Sequence, residues 1–426
     1  MKKKLMILLA IVASIMMVGS FSLIGCKAEE VAEEEVVEEV AEEEVAEEAA
    51  LIPDEEDIVL TGTVYPRSDD VGPEGDAATM PADVSLGGLT IQDYIDMARA
   101  GSIDAPADIV SQVEGMTAAI AMHGLDDDWP QLQIAGATMV LEAFGIDIVS
   151  VTGGEWQAAI QQENLETVIQ LDPDLLLSIP VDQTVEGPVY REVVDAGIKF
   201  VVMDMVPEGL TYANGDYVTA VAASSRGNGT AAADIMADYF ANTMGLTEAK
   251  VGVLRLNFLH MVTEERALGF EARCAEYYPW IDTSLKVDFD IADITGSSYA
   301  TAEGTLTANP DLNGFFAVWN APASGIADAC RALGLDPASF VITTSDLSEA
   351  AALEIASDGF LKGLGSQDPF AQGVAEAISG IKALIGEEVP PFIAVPGYAV
   401  TKDNVLEAFQ FILQREAPDE LKAYYE

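Results

Sequence analysis

The sequence predicts an α/β fold of two lobes, each with a doubly wound parallel β-sheet covered by helices, joined by a hinge. From about Gly115 onward, short apolar runs alternate with turns and with amphipathic stretches of roughly 12–18 residues. Continuous apolar strands between helices are typical of parallel sheets that are buried on both faces. About ten such strand–helix units are too many for one compact sheet, so we expect two lobes.

The predicted strands fall into two series along the chain. The first series has strands at 118–122, 147–151, 175–179, 200–203 and 218–222, separated by helices such as 131–144, 156–170 and 188–196. The second series has strands at 251–256, 285–289, 315–318, 341–344 and 361–365. Ligands of doubly wound, Rossmann-like sheets bind outside the carboxyl ends of the strands. The residues that follow each strand are therefore the candidates for a site.

The two series define the predicted lobes and the segments around them. The segment before the lobes is rich in Pro, Gly and Asp and contains one helix near 90–100. The segment after them contains a helix over 406–425, with Phe409, Phe411, Ile412 and Leu413 on its apolar face. In chain order, the predicted segments are a lead-in at 58–112, lobe 1 at 113–220 plus 367–400, lobe 2 at 221–366 and a C-terminal helical segment at 401–426.

The composition excludes two broad classes of protein. The chain has 426 residues, with 20 Lys and Arg against 72 Asp and Glu, so its formal net charge is −52. Apolar residues make up 50% of the chain, which allows a large core and argues against general disorder. Binding a nucleic-acid backbone requires a basic face, and 20 cations spread over this length do not provide one. We therefore expect no nucleic acid partner.

The N-terminal segment has the order of a secretory signal. Three lysines at positions 2–4 precede an apolar stretch from Leu5 to Ile24. The sequence LIGC, ending at Cys26, looks like a bacterial lipobox, in which the cysteine becomes diacylated and, after cleavage, N-terminal. We predict a lipoprotein signal peptide at 1–25 and a lipid anchor at Cys26, because two acyl chains suffice for stable anchoring. The alternative is an uncleaved membrane span. In either case the remainder of the chain is extracytoplasmic and tethered to the membrane.

A low-complexity acidic tract follows the cysteine. Glu occupies 12 of the 23 residues from 28 to 50. Like charges at i,i+4 oppose a helix, and the tract has too little apolar surface to fold alone. We expect residues 26–57 to form an extended, self-repelling tether that holds the folded body away from the membrane.

The sequence contains no motif that supports an enzyme, a metal or a cofactor. With only His123 and His260, a zinc site has essentially no ligands. Neither G-x-S-x-G nor a P-loop occurs, which leaves a hydrolase triad or an ATPase without support. The stretch 227–232 matches G-x-G-x-x-A, but no acid ends a strand about 20 residues later, so we interpret it as a helix entry. Cys274 and Cys330 are interpreted as buried thiols rather than as a disulfide.

Short motifs accompany the predicted strands in a regular order. Two of them are strand sequences, PDLLLSIP at 173–180 and AGIKFVVMD at 196–204. The others are DDWP at 127–130, ERALGF at 265–270, FAVWN at 316–320, TSD at 344–346 and SQDP at 366–369. With these motifs, the chain from about Glu114 to Asn404 resembles the type I periplasmic binding proteins of the ribose/galactose class, which are the substrate-binding subunits of ABC sugar importers. The resemblance implies the two-lobed fold of that family.

The resemblance also implies which residues bind the ligand. The carboxylates and the amide would bond adjacent hydroxyls of a polyol, and the arginine would offer a planar fork of donors to the ring oxygen or to hydroxyls. The two tryptophans would stack on the C–H faces of a ring, and the glutamine would touch both ligand and hinge. The implied residues are Asp127, Asp128, Trp129, Asp204, Arg266, Trp319, Asn320, Asp346 and Gln367.

Several of these residues have a purely structural alternative. Asp204 and Asp346 could each cap the helix that follows its strand. Trp319 could belong to the core, because the strand before it is apolar throughout. Arg266 could pair with an acidic neighbour, Glu264 or Glu265, on a solvated helix.

The chain also departs from the family pattern. Aspartates replace an asparagine at 127–128, Trp319 falls where the sugar class usually has an asparagine, and Ser225 holds a position commonly taken by Asp. These changes affect the identity of the ligand rather than the fold. Trp156 is assigned mainly to packing, as is Trp280, although Glu155-Trp156 at a strand end could line the rim of the cleft.

The predicted function is ligand capture for transport. The lobes would close by hinge rotation around a small polyhydroxyl ligand, a sugar or sugar alcohol, and would present the closed form to an ABC permease and its ATPase subunit. A cationic ligand is the lesser alternative, because carboxylates and aromatic faces also suit a cation. The alternative function is that of a ligand-binding subunit in a chemoreceptor or sensor-kinase system. We expect a monomer without enzymatic activity.

Overall fold

Two large β-sheets form the frame of the chain, which the computed structural model describes for residues 62–63, 75 and 77–426. The predicted signal peptide, Cys26 and the acidic tether lie outside these residues. Within the described ranges, no helix combines the length and the apolar character needed to cross a bilayer. The strands are β1 (Gly62–Thr63), β2 (Ser85–Leu86), β3 (Leu89–Thr90), β4 (Thr117–Met122), β5 (Asp147–Gly153), β6 (Leu175–Ser178), β7 (Lys199–Met203), β8 (Ala220–Ala223), β9 (Ala249–Leu256), β10 (Ile281–Phe289), β11 (Gly314–Ala317), β12 (Val341–Ser345), β13 (Leu361–Ser366), β14 (Phe392–Val395) and β15 (Tyr398–Thr401).

Helices alternate with these strands. Short 3₁₀ turns occur at Pro81–Asp83, Tyr212–Asn214 and Ile291–Asp293, and a π turn occurs at Tyr239–Thr243. The α-helices are α1 (Ile91–Arg99), α2 (Ala107–Val113), α3 (Asp128–Ala143), α4 (Ala158–Leu171), α5 (Gly187–Asp195), α6 (Ser225–Asp238), α7 (Met261–Tyr277), α8 (Ile294–Ala308), α9 (Asn320–Leu333), α10 (Glu349–Ala356), α11 (Pro369–Leu384), α12 (Val405–Leu413) and α13 (Asp419–Lys422).

Each large sheet is the centre of one lobe. The lobe 1 sheet has the order β14-β8-β7-β6-β4-β5, and all of its neighbouring strands are parallel. The lobe 2 sheet has the order β1-β15-β13-β12-β11-β9-β10. Strands β9 to β13 are parallel to one another. At one edge of the sheet, β15 is antiparallel to β13 and β1 is antiparallel to β15. The predicted α/β fold with two parallel-sheet lobes is confirmed.

Burial along the strands follows their position in the sheet. Every residue of β6, β8, β11 and β12 is buried, because helices exclude water from both faces. In β4, Ile120 packs into one apolar core of lobe 1 and Ala119 into the other, on opposite faces of the sheet. The edge strands β5 and β10 instead alternate between more and less exposed residues.

Within residues 77–426 the chain passes between the lobes three times. β8 of lobe 1 leads into α6, which packs in the lobe 2 core, and β13 of lobe 2 leads into α11, which packs in the lobe 1 core. The third crossing joins β14 of lobe 1 to β15 of lobe 2 at Pro396-Gly397. This crossing lies before residue 400, where the sequence placed the end of lobe 1. Pro396 has no N–H to continue the ladder of β14, so the strand ends there.

From residue 77 onward the lead-in segment packs on lobe 1, whereas its strand β1 pairs with β15 of the lobe 2 sheet. Its predicted helix near 90–100 corresponds to α1, which starts at a capping box between Thr90 and Asp93. The buried face of α1 includes Ile91 and Tyr94, and the Tyr94 hydroxyl donates to the Leu86 carbonyl oxygen over 3.0 Å. This part of the lead-in therefore extends the lobe 1 core.

The glycine-rich stretch 227–232 is a packing contact between helices. A Cβ on Gly229 of α6 would lie 1.9 Å from the Arg266 carbonyl oxygen, and a Cβ on Gly269 of α7 would lie 2.0 Å from the Arg226 carbonyl oxygen. The two glycines therefore let the backbones of α6 and α7 approach more closely than any other residue would allow. The Ser224 side chain caps α6 by accepting from the Gly227 N–H.

The C-terminal segment folds as two short helices, α12 and α13, rather than as the single helix predicted over 406–425. α12 ends where Gln414 adopts a left-handed conformation with φ 52°, and Pro418 precedes α13. The buried face of α12 joins the lobe 2 core, whereas Phe411, predicted for that face, is 37% exposed.

Candidate ligand-binding site

Backbone strain marks the carboxyl ends of three strands. Among the described residues other than glycine, positive φ occurs at Glu155 and Trp156 after β5, at Asp204 after β7 and at Asp346 after β12, as well as at three helix ends. Such conformations cost about 1–3 kcal/mol and concentrate at functional sites. The strained residues therefore indicate the cleft between the two sheets as the place to look for a site.

An ion pair on the lobe 2 side supports this cleft from below its surface. Arg266 donates from both terminal nitrogens to the Asp346 carboxylate, over 2.7 and 3.0 Å, and also to the Val318 carbonyl oxygen over 3.0 Å. Gln367 donates to the same carboxylate over 3.1 Å, and Asn320 donates to the Asp346 carbonyl oxygen over 3.0 Å. These bonds hold four of the predicted ligand residues in one network.

The structural alternatives for this ion pair do not hold. Arg266 is 2% exposed and points away from its acidic neighbours, since Glu265 instead bonds Arg226 over 2.7 Å. Asp346 does not cap α10, because the Ser348 side chain accepts from the Ala351 N–H at that helix start. Arg266 therefore does not pair with an acidic neighbour on its own helix, and Asp346 does not act as a helix cap.

Asp204 lies on the lobe 1 side and is almost fully buried. One of its carboxylate oxygens accepts a hydrogen bond of 3.2 Å from Gln372, and the other, Oδ2, is buried without a partner. Burial raises the pKa of Asp204 to about 7, in spite of the opposing effect of the Arg266 charge. It caps no helix, because the next helical turn is capped by Thr211.

The loop before α3 contributes two aspartates with different environments. Asp127 is exposed at the mouth of the cleft and caps α3 by accepting from the Trp129 N–H over 3.0 Å, and the desolvation of its carboxyl group raises its pKa to about 6. Asp128 is partly buried and forms an ion pair of 3.1 Å with Arg415. The helix cap thus fixes Asp127, whereas Asp128 faces the C-terminal segment.

The two predicted stacking tryptophans approach from opposite lobes. Trp129 packs on the edge of His123, with 5.2 Å between the ring centroids, and its indole Nε1 is buried without a partner. Trp319 meets Phe289 edge to face at 5.0 Å and is partly buried against the lobe 2 core. Trp319 therefore combines the core role and the cleft position that the sequence presented as alternatives.

A cleft of about 130 Å³ brings most of the predicted residues together. Seven of the nine predicted ligand residues line the cleft. Arg266 lies behind its surface and bonds to the lining residue Asp346. Asp204 lies on the lobe 1 side of Arg266. The lining residues are Asp127, Asp128, Trp129, Leu132, Trp319, Asn320, Ala321, Asp346, Leu347, Ser348, Ser366, Gln367, Pro369, Ile412 and Leu413.

Four buried polar atoms without partners belong to the predicted ligand residues. The donors among them are Trp129 Nε1 and Arg266 Nε, and the acceptors are Asp204 Oδ2 and Gln367 Oε1. An unsatisfied buried polar group costs about 1–3 kcal/mol, so each of these atoms favours a ligand that completes it. Lobe 1 supplies a donor and an acceptor, lobe 2 supplies a donor, and Gln367 at the crossing supplies an acceptor, which suits a small molecule that carries donors and acceptors together.

Both histidines of the chain lie beside residues of this site, since His123 packs on Trp129 and the charge of Arg266 acts on His260. The His123 ring follows β4 and contacts Trp156 at 4.1 Å between centroids. Burial and the neighbouring His260 lower the pKa of His123 to about 3, and burial with Arg266 lowers that of His260 to about 4. Both imidazoles are therefore neutral at pH 7. Their positions just after β4 and β9 were the signal that could have identified them.

Metal-ligating and thiol chemistry find little support in the part of the chain that is described. Residues 77–426 contain no group of three or more His, Cys, Asp and Glu side chains that could hold a metal ion. Cys274 and Cys330 are both free and buried in the lobe 2 core. The side chains around Arg266 are instead hydrogen-bonding and aromatic groups.

Residues 118–388, which form most of both lobes, match the family model described as a periplasmic binding protein domain. The chain belongs to the type I periplasmic binding protein family. The matched residues contain all nine predicted ligand residues and end before α12. A search of curated proteins finds no match to this periplasmic binding protein.

Solved structures of similar fold are binding proteins of transporters. A carbohydrate transporter solute-binding protein from Agrobacterium radiobacter, in complex with D-arabinose, has 19% identity and a TM-score of 0.63, covering 70% of this chain and 98% of its own. An ABC transporter solute-binding protein from Agrobacterium vitis, bound to α-D-tagatopyranose, has 22% identity and a TM-score of 0.62, covering 70% and 99%. A second Agrobacterium vitis solute-binding protein, with bound allitol, has 18% identity and a TM-score of 0.61, covering 70% and 99%.

Proposed function

We propose that this chain is the substrate-binding subunit of an ABC importer and that it captures a neutral sugar or sugar alcohol between its lobes. The observation that carries the proposal is the group of unpartnered donors and acceptors around the Arg266–Asp346 ion pair. A polyhydroxyl compound offers donors and acceptors on every carbon, so it can complete several of these atoms at once. The arabinose, tagatose and allitol complexes of proteins with the same fold support this ligand class.

The electrostatics of the cleft favour a neutral ligand over a cation. Arg266 compensates the charge of Asp346 and lies at the centre of the site, where it would repel a cation. The raised pKa of Asp204, about 7, reduces the negative charge that a cation would need. Trp129 and Trp319 then serve as faces for the C–H groups of a sugar rather than as a cage for a cation.

Delivery to a membrane permease completes the proposed role. Lobe 1 (113–220 plus 367–400) and lobe 2 (221–366) would rotate about the crossings between them, as hinge motions in ligand-closing proteins do. The ATPase subunit of the importer would supply the energy, since this chain has no P-loop. Cys26 would carry the lipid anchor, and residues 26–57 would hold a monomeric binding protein outside the cytoplasm.

Calorimetry and thermal shift with defined ligands test the ligand class. The purified chain is titrated with D-arabinose, D-tagatose and allitol, and with choline as a cationic control. We expect at least one of the three polyhydroxyl compounds to bind without turnover and to raise the melting temperature, because a ligand that binds only the folded state stabilises it. Stabilisation by choline, with none by the three polyhydroxyl compounds, would refute the proposal.

A further inference from the structure

Residues 405–415, the first part of the C-terminal segment, form one wall of the ligand cleft. Ile412 and Leu413 of α12 line the cleft beside Trp129 and Leu132 of lobe 1 and Leu347 of lobe 2. These two side chains are almost fully buried and belong to the lobe 2 core. The segment lies beyond the residues that the family model matches. The nine predicted ligand residues therefore account for only part of the cleft surface.

Charged and aromatic contacts fasten this segment to both lobes. Arg415 pairs with Asp128 of lobe 1 over 3.1 Å and with Glu349 of lobe 2 over 3.3 Å. The guanidinium of Arg99, on the lead-in helix α1, lies 3.8 Å from the centroid of the Phe411 ring. Arg99 also pairs with Asp368, at the crossing from lobe 2 into α11. The contacts of residues 405–415 therefore join lobe 1 to lobe 2, and the two lobes would have to separate for the cleft to open.

We propose that the C-terminal segment sets the size of the ligand that the cleft accepts and resists separation of the lobes. The proposal rests on the proposed function, because it takes this cleft to be the ligand site. Leu413 is a specificity-determining residue, since its side chain occupies space that a longer ligand would need. Arg415 is a positioning residue, since lobe separation must break at least one of its two ion pairs.

Shortening Leu413 tests the size limit. One methylene in an apolar pocket changes relative affinity about 10- to 200-fold. In calorimetry with D-arabinose and D-tagatose, we expect Leu413→Ala to shift the ratio of the two affinities about tenfold toward the six-carbon sugar. Val405→Ala is the matched control, because Val405 is buried on the same helix but does not line the cleft. An unchanged ratio in Leu413→Ala, or an equal shift in both variants, would overturn the size limit.

Removing Arg415 tests the link between the lobes in the ligand-free full-length chain. Arg331 is the matched control, because it is also an exposed arginine with two carboxylate partners, Asp328 and Glu354, but both lie in its own lobe. Exposed ion pairs contribute little, so we expect Arg415→Ala to speed hydrogen exchange at residues 128–133 and 405–413 about two- to fivefold. Arg331→Ala should leave both segments unchanged.

The exchange experiment separates the two proposals. It needs no ligand, so a positive result in Arg415→Ala supports the link even where none of the sugars binds. Unchanged exchange in Arg415→Ala, or equal acceleration in Arg331→Ala, would overturn the role of Arg415 whatever the ligand proves to be.

Discussion

The two sides of the cleft are built differently. On the lobe 2 side, Arg266, Asp346 and Asn320 bond to one another and to Gln367 at the crossing, so the charges are paired and the side chains are held in place. On the lobe 1 side, Asp204 keeps a buried oxygen without a partner and carries a raised pKa. The carboxylate of lobe 2 is paired with a cation, whereas the carboxyl group of lobe 1 is not.

This difference assigns separate tasks to the lobes. Side chains that are already ordered lose less entropy on binding, so we expect the lobe 2 side to supply most of the affinity. A carboxyl group with a pKa near neutrality responds to pH, so we expect Asp204 on the lobe 1 side to supply the pH dependence. Substitutions on each side of the cleft test these expectations.

The largest effect is expected from Arg266→Ala. It removes the donors of the ion pair and leaves the Asp346 carboxylate unpaired, so we expect at least a 100-fold loss of affinity in calorimetry. The free energy of unfolding should fall by about 2–4 kcal/mol in urea titrations. Arg273→Ala is the control, because it breaks a buried ion pair with Asp234 elsewhere in lobe 2. That variant should lose stability but keep its affinity while folded. An equal loss of affinity in both variants would contradict the assignment.

The second effect is a pH dependence that Asp204→Asn removes. Ligand hydroxyls donate to the ionised carboxylate, and the pKa of Asp204 is about 7, so wild-type affinity should rise about tenfold between pH 6 and pH 8. Calorimetry should show a flat profile over this range for the variant. Asp127→Asn is the control, since the pKa of Asp127 is about 6 and the rise above pH 6.5 should persist. A rise that survives in Asp204→Asn would assign the titration to another group.

The same carboxyl group links stability to pH in the ligand-free protein. Because its pKa is higher in the folded chain than in the unfolded chain, the folded state binds more protons between about pH 4 and pH 7. Asp204 therefore makes the free energy of unfolding fall as pH rises through this window. Asp204→Asn should reduce that slope in urea titrations at several pH values, and an unchanged slope would argue against the raised pKa.

A smaller effect is expected from Trp129→Phe on the lobe 1 side. The substitution keeps the aromatic face but removes the unpartnered indole donor, so we expect a loss of about 1 kcal/mol, or roughly fivefold in affinity. Trp280→Phe, in lobe 2, is the control and should leave affinity unchanged. Unchanged binding in Trp129→Phe would exclude Nε1 as a ligand donor.

The smallest effect is expected from Asp128→Asn. Its carboxylate forms an exposed ion pair with Arg415, and such pairs contribute about 0.2–1 kcal/mol. We expect at most a fivefold loss of affinity, and we expect 0.5 M salt to abolish the difference from wild type because exposed pairs are screened. A loss as large as that of Arg266→Ala would show that Asp128 contacts the ligand directly.

The features that could be predicted from the sequence were those that depend on the local pattern of apolar and polar residues. Apolar strands alternating with helices predicted the ten strands β4 to β13, and strand-end positions indicated Asp204 and Asp346, which the structure places near Arg266. The edge strands β1, β14 and β15, whose partners are distant in the sequence, were not predicted. His123 and His260 interact electrostatically only because two lobes face each other, and nothing in the apolar face of α12 indicates that it would line the cleft. Likewise, Pro396 ends β14, but the pairing of β15 with the lobe 2 sheet depends on tertiary contacts that the local sequence does not show.

The close approach of α6 and α7 also fixes the backbone that carries Arg266. Arg266 belongs to α7, and its carbonyl oxygen is the atom that a side chain on Gly229 would strike. The position of the guanidinium therefore depends on a glycine of a neighbouring helix, which does not line the cleft. We expect a methyl group added at Gly229 to push α7 away from α6 and to displace Arg266 from Asp346, so a residue outside the cleft can alter the geometry of the candidate site.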